Sequence, residues 1–185
     1  MRYSADHKAQ THKRIIKEAS ERFRRDGIGA TGLQPLMKAL GLTHGGFYSH
    51  FSSKDELVEE ALCSAAQDLD VHCAKLFAQE RPLQAFIDNY LSEWHQESPH
   101  LGCPLPTMSA ELGQRGQPSA TTDAVLKARL AQLEATLEGE DKAKRSLMIM
   151  STLAGALMLS RSVENPKLAA QILEVVREGL KEQER

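Results

Sequence analysis

The chain has 185 residues, 41% apolar and 26% charged, with a net charge of −2; this excludes a disordered chain and a protein that coats polyanions indiscriminately. Three cysteines, Cys63, Cys73 and Cys103, form no Cys-x-x-Cys pair, which excludes a disulfide framework or a structural zinc site. The charge is unevenly placed: ten Lys and Arg stand against four Asp and Glu up to Lys54, and thirteen against twenty-one beyond it, a basic head on an acidic body.

The start is polar from Arg2 through Arg14 and no apolar run is long enough to span a bilayer, so no membrane association is expected and the cytoplasm is the expected compartment. Ile15, Ile16, Ala19 and Phe23 share one face of a first helix, which Gly27 can end. Leu33, Leu36, Met37 and Leu40 mark a short second helix. Gly41 can take the left-handed conformation that turns the chain sharply, and Thr43 can cap a third helix running to about His50. Phe47 and Phe51, four residues apart, anchor that helix inward and leave His44, Gly45, Tyr48, Ser49 and His50 for an outside partner. Two short helices joined by a glycine turn, the second one presented, form a helix-turn-helix over about residues 33–52.

Ser53-Lys-Asp-Glu56 reads as a capping box opening a long helix through Leu57, Val58, Leu62 and Leu69 to about Leu76. Pro82 starts the next helix, expected to run through Phe86, Tyr90 and Trp94. Ser98–Pro106, with three prolines and a glycine, is an irregular connection into a short helix around Thr107–Leu112. Leu126, Leu130, Leu133 and Leu137 stripe a further helix, ended by Gly139. Asn165-Pro166 separates the two last helices. The expectation is an all-α chain of about nine helices.

The helix Leu147–Leu159 is apolar nearly all round. Either it is a central buried helix, or it pairs with its copy and with the last helix in a two-fold four-helix bundle. The second reading makes a homodimer through Leu147, Met150, Leu153, Ala154, Leu157, Met158, Leu168, Ile172, Val176 and Leu180.

The pattern Phe23, Gly27, Ala30-Thr31, Leu36, Gly41-Leu42-Thr43, Gly45, Phe47-Tyr48, His50-Phe51, Ser53-Lys54, Glu56-Leu57 resembles the amino-terminal domain of the TetR family of bacterial transcriptional regulators. The resemblance implies a DNA-binding domain over residues 1–53, a helical effector and dimerisation domain over 54–185, and no enzymatic activity or cofactor. The implied partners are double-stranded inverted-repeat operator DNA, a second copy of the chain and a small-molecule effector. By position, Thr43, His44, Gly45 and Gly46 face bases, while Tyr48 and Lys54, with Thr31 and His50 as weaker candidates, face phosphates. Gly32, Pro35 and Gly46 depart from the family pattern. Pro35 requires the second helix to begin at about Leu33 or later, and Gly46 removes a hydroxyl from the reading surface.

For the implied effector pocket, Phe86, Tyr90, Trp94, Cys103, Met108 and Leu112 are either core or pocket wall, with His72, Asn89, His95 and Glu111 as polar candidates. Cys103, between Gly102 and Pro104, is either a reactive thiol sensor or a small buried apolar residue. A rival reading makes the chain a small helical enzyme or thiol-based redox protein using Cys103 with His95 or His100. Neither His72-Cys73 nor His100 with Cys103 has a metal-binding spacing, so no metal is expected.

Overall fold

Local signals place most helix boundaries in this computed structural model, which describes residues 5–183. The helices are α1 (Ala5–Asp26), α2 (Leu33–Ala39), α3 (His44–Phe47), α4 (Lys54–Phe77), α5 (Pro82–Tyr90), α6 (Glu93–Glu97), α7 (Ala110–Gln114), α8 (Ala120–Glu134), α9 (Lys142–Ser162) and α10 (Pro166–Gln183). A π-helical turn, Leu105–Ser109, runs directly into α7. No strand occurs among the described residues, and no helix there is long and apolar enough to cross a membrane.

Gly27 (φ 91°) ends α1 and donates its N–H to Phe23 O at 3.2 Å. Ser119 accepts from the N–H groups of Thr121 and Thr122 and starts α8, and Asn165 does the same for α10 through Lys167 N at 2.9 Å; each satisfies amides that the first helical turn leaves open. One expected helix is two. The run from Pro82 stops at Tyr90, and Ser92 turns outward to cap α6 by accepting from His95 N at 3.1 Å. Trp94 is thereby taken off the face it was expected to share with Phe86 and Tyr90, and it is 49% exposed.

Two apolar cores organise the chain. The first gathers Ile15, Phe23, Ile28, Leu36, Met37, Phe47, Phe51, Leu57, Val58 and Leu62 from α1–α4 and their connections, and also Met108 from the π-helical turn and Leu112 from α7. The second gathers Cys73, Leu76, Phe86, Ile87, Tyr90, Leu91 and Cys103 with Leu133, Ile149, Met150, Leu153, Leu157, Leu173 and Leu180. Helix α4 enters both, its amino-terminal turns in the first and its carboxy-terminal turns in the second. Met108 and Leu112 therefore belong to the amino-terminal core, not with Phe86 and Tyr90 as expected. A sequence stripe shows that a side chain is buried but not against which neighbour.

Phe47 is fully buried and stacks on Phe51 with ring centroids 5.3 Å apart. Phe47→Ala is expected to lower the unfolding free energy by about 3–5 kcal/mol, read from urea denaturation.

Candidate nucleic-acid interface

The turn between α2 and α3 is closed by main-chain bonds. Gly41, at φ 71°, donates to Lys38 O at 3.0 Å and Leu42 donates to Met37 O at 2.9 Å, a helix end that a left-handed residue completes. Thr43 is extended (φ −81°, ψ 150°), and its hydroxyl accepts from Gly46 N at 3.2 Å. The short α3 is prolonged by turns, with His50 N and Phe51 N both donating to Phe47 O. Buried Phe47 and Phe51 fix which side faces out. Outward stand Thr43, His44, Gly45 and Tyr48, the last 60% exposed and edge-on to His44 with centroids 5.9 Å apart. A Cβ on Gly45 would meet nothing within 4 Å, so this stretch of surface is smooth backbone open to close approach.

Helix α1 supplies a second wall that residue-by-residue reading missed. His7, Lys8 and Thr11 border a groove of about 320 Å³ with Thr43, Gly46 and His50. Lys8, Lys13, Arg14 and Lys17 are exposed along the same helix, and Arg14 reaches across to Leu40 O at 3.3 Å. The signal was present as the positive charge of the head; it lacked a partner in sequence because α1 and α3 are neighbours only in space.

Three expected contact residues are otherwise engaged. Thr31 is 6% exposed and its hydroxyl donates to Gly27 O at 2.7 Å, so it turns inward. Lys54 is half-buried, its ammonium donating to Ile28 O at 2.5 Å and Thr31 O at 2.7 Å. Burial first, and then the Arg115 guanidinium, hold that ammonium below the usual lysine range. His50 is half-buried near His12, and burial followed by the His12 and Lys8 charges lowers its pKa. The Ser53 cap forms as expected, Glu56 N donating to Ser53 Oγ at 3.1 Å, but the Glu56 carboxylate returns to Ser52, accepting from its N–H at 2.5 Å and its hydroxyl at 2.6 Å.

In the second core, Phe86, Tyr90, Trp94, Cys103, His72, Asn89 and His95 do come together, around a space of only about 20 Å³, room for one water. Arg129 joins them, its guanidinium 5.7 Å from the Phe86 ring centre. Cys103 is 7% exposed, and burial pushes its thiol up, the reverse of an activated thiolate. His95 is no base for it. Its Nδ1–H donates to Tyr90 O at 2.7 Å, and its Nε2 accepts the Cys103 N–H at 2.9 Å; both ring nitrogens are occupied by main chain. Gly102 is required at this corner, because a Cβ there would collide with the His95 ring. Glu111 lies away from this cavity, bonded to the loop after α1. Among the described residues no three His, Cys, Asp or Glu side chains could hold a metal ion.

Of the ten expected pairing residues, Met150, Leu153, Leu157 and Leu180 face the chain's own core. Leu147, Met158 and Leu168 are exposed, and Ala154, Ile172 and Val176 are half-buried. Exposed Met148, Leu159 and Val175 extend the outward surface of α9 and α10. An all-round apolar helix hides the phase that separates its inner from its outer side.

The fold and site define a class: an all-α chain whose basic head presents a helix-turn-helix. Residues 15–61 match the model described as bacterial regulatory proteins of the tetR family. A TetR transcriptional regulator from Chloroflexus aurantiacus J-10-FL is 26% identical, with a TM-score of 0.79 over 95% of this chain and 94% of that one. A TetR regulator from Legionella pneumophila, 17% identical, shares the fold over 100% of both chains with a TM-score of 0.78. The probable HTH-type transcriptional regulator ArpR of Pseudomonas putida is 31% identical over 83 residues, 45% of this chain and 39% of that protein. The chain thus matches less than half the length of that relative. Residues 15–61 are thus similar to the amino-terminal domain of tetR-family regulators, and the chain as a whole shares the fold of solved TetR regulators.

Burial lowers the His95 pKa to about 4. Below the unfolded value near 6.5 the unfolded chain binds a proton that the native one refuses, so stability falls as pH drops from about 6.5 to about 4, by about 3 kcal/mol in total. Above pH 6.5 this group contributes no slope. Urea titrations across that range should show a steeper loss in the native chain than in His95→Gln.

Proposed function

We propose that the chain is a homodimeric transcriptional repressor that binds an inverted-repeat operator and is released by a small-molecule effector. The observation that carries this is the exposed His44–Tyr48 surface on a capped, internally anchored helix within the family's amino-terminal domain. Residues 1–53 serve DNA binding and residues 54–185 serve effector binding and pairing, with α4 common to both cores. Thr43, His44, Gly45 and Gly46 approach base edges, where the two glycines let main chain come close. Tyr48 and the exposed lysines of α1 hold phosphates. Lys54 acts from behind, bracing the loop before α2 through Ile28 O and Thr31 O. The compartment is the bacterial cytoplasm, where the operator is.

Pairing is assigned to the exposed side of α9 and α10, where Leu147, Met148, Met158, Leu159, Leu168 and Val175 leave apolar surface in water. The effector is assigned to the aromatic space around Phe86, Tyr90 and Cys103, which must widen to admit it. The buried thiol and the main-chain bonds of His95 count against a Cys103–His95 nucleophile–base pair, one of the two pairs that the rival enzyme reading names.

A duplex carrying the intergenic DNA upstream of the gene should bind with an affinity that falls steeply with salt. Tyr48→Ala should weaken that binding about tenfold, measured by fluorescence anisotropy; unchanged affinity would remove Tyr48 from the interface. Leu147→Glu combined with Val175→Glu should convert the dimer to a monomer in sedimentation velocity while leaving the helical circular dichroism intact.

A further inference from the structure

The five-residue loop from Gly27 to Thr31, which leads from α1 into α2, is held by side chains from two distant parts of the chain. From α7, Glu111 Oε2 accepts the Ile28 N–H and Oε1 accepts the Gly29 N–H, both at 2.6 Å. From the first turn of α4, the Lys54 ammonium takes Ile28 O and Thr31 O. Both polar main-chain groups of Ile28 are thus bonded to side chains, while its own side chain is fully buried in the core that anchors Phe47. Arg115 pairs with Glu111 Oε1 at 2.5 Å and holds the carboxylate in place.

The loop is shaped for that carboxylate. A Cβ on Gly27 would stand 3.1 Å from Glu111 Oε2, and one on Gly29 would stand 2.9 Å from Oε1 and 3.0 Å from the Arg115 guanidinium. A side chain at position 29 would therefore displace the carboxylate, although the Gly29 backbone lies outside the left-handed region. The same stretch has a second hold on the head: Arg24, buried at the end of α1, donates to Gly102 O at 2.9 Å. Between these two attachments the chain passes Cys103, whose N–H bonds His95, then Pro104 and the π-helical turn. Gly102 and Cys103 line the aromatic cavity, while Met108 and Leu112 are buried in the amino-terminal core.

We infer that Glu111 is a positioning residue for DNA reading. Its carboxylate sets the loop before α2, and with it the placement of α2 and α3, and it transmits to them any displacement of residues 102–111 at the cavity wall. The assignment rests on the proposal that α3 reads DNA. Glu111 itself touches no base or phosphate; it acts by deciding where the residues that do so stand. A rearrangement at Cys103 has a covalent path of eight residues to this carboxylate, whose bonds to Ile28 and Gly29 carry it into the head.

Amide hydrogen exchange of the full-length protein tests this without DNA, because exchange reports local opening. Glu111→Ala and Gly29→Ala should each raise exchange about tenfold at residues 28 and 29 and across residues 36–51, while α8–α10 keep their protection. The two changes should not add, since the alanine at 29 displaces a carboxylate that Glu111→Ala has already removed. Glu111→Gln, which keeps one acceptor and the side-chain volume, should fall between wild type and Glu111→Ala. Faster exchange confined to residues 28 and 29, or equal loss of protection throughout the chain, would reduce Glu111 to a local or purely structural tie and overturn the inference. With the upstream duplex, Glu111→Ala should weaken binding about tenfold while the slope of log affinity against log salt is unchanged, because no phosphate contact is removed. If wild-type protein does not bind that duplex at any salt, the DNA-reading proposal fails, and the exchange result still decides whether Glu111 positions α2 and α3.

Discussion

Helix α4 buries its two ends in two different cores, and the architecture follows from that. Leu57, Val58 and Leu62 lie with the aromatic anchors of the helix-turn-helix, while Cys73 and Leu76 lie with the aromatic residues of the carboxy-terminal half. A rigid rod set in two close-packed interiors cannot shift at one end without disturbing the other. Its first residue, Lys54, adds a polar hold on the loop before α2, and the Ser53 cap ends the turn after α3 in a defined direction. The exposed surface of α3 is therefore braced from below.

A second brace comes from residues far along the sequence. The segment 102–112 lines the aromatic cavity at one end and completes the amino-terminal core with Met108 and Leu112 at the other. With Glu111 on the Ile28 and Gly29 amides and Arg24 on Gly102 O, it ties the acidic body to the basic head by directed bonds as well as by packing. Cys103 sits within this tie as a buried thiol, and its neighbour His95 serves the main chain on both ring nitrogens. What resembled a nucleophile and base in sequence is a hydrogen-bonded corner of the fold.

Much of the helix-turn-helix was legible in the residues because its determinants are local. Gly41 in the left-handed region, Thr43 on the Gly46 amide and Ser53 on the Glu56 amide each act within three or four residues. Phe47 and Phe51 share a face by helical spacing alone, and Tyr48 is outward for the same reason. Even the break at Ser92 carried a local signal, a serine followed by glutamate at a helix start; the stronger apolar spacing of Phe86, Tyr90 and Trp94 hid it. On α9, apolar residues on every side left no phase to read, so the core residues Met150, Leu153 and Leu157 and the exposed Leu147 and Met158 carried the same signal.

The sequence by itself determined the helices, their caps, the capped and presented α3 and the basic head, since hydrogen bonds to near neighbours and periodic burial are encoded over a few residues. Only the tertiary structure decided that Thr31 turns inward, that Lys54 and Glu111 grip the same loop, that Met108 and Leu112 serve the amino-terminal core, and which side of α9 meets solvent. Those outcomes depend on contacts between residues tens of positions apart, where a carboxylate on α7 finds two open amides after α1 because the glycines there leave room for it. No residue type announces such a contact; the packing of α1, α4 and α7 creates it.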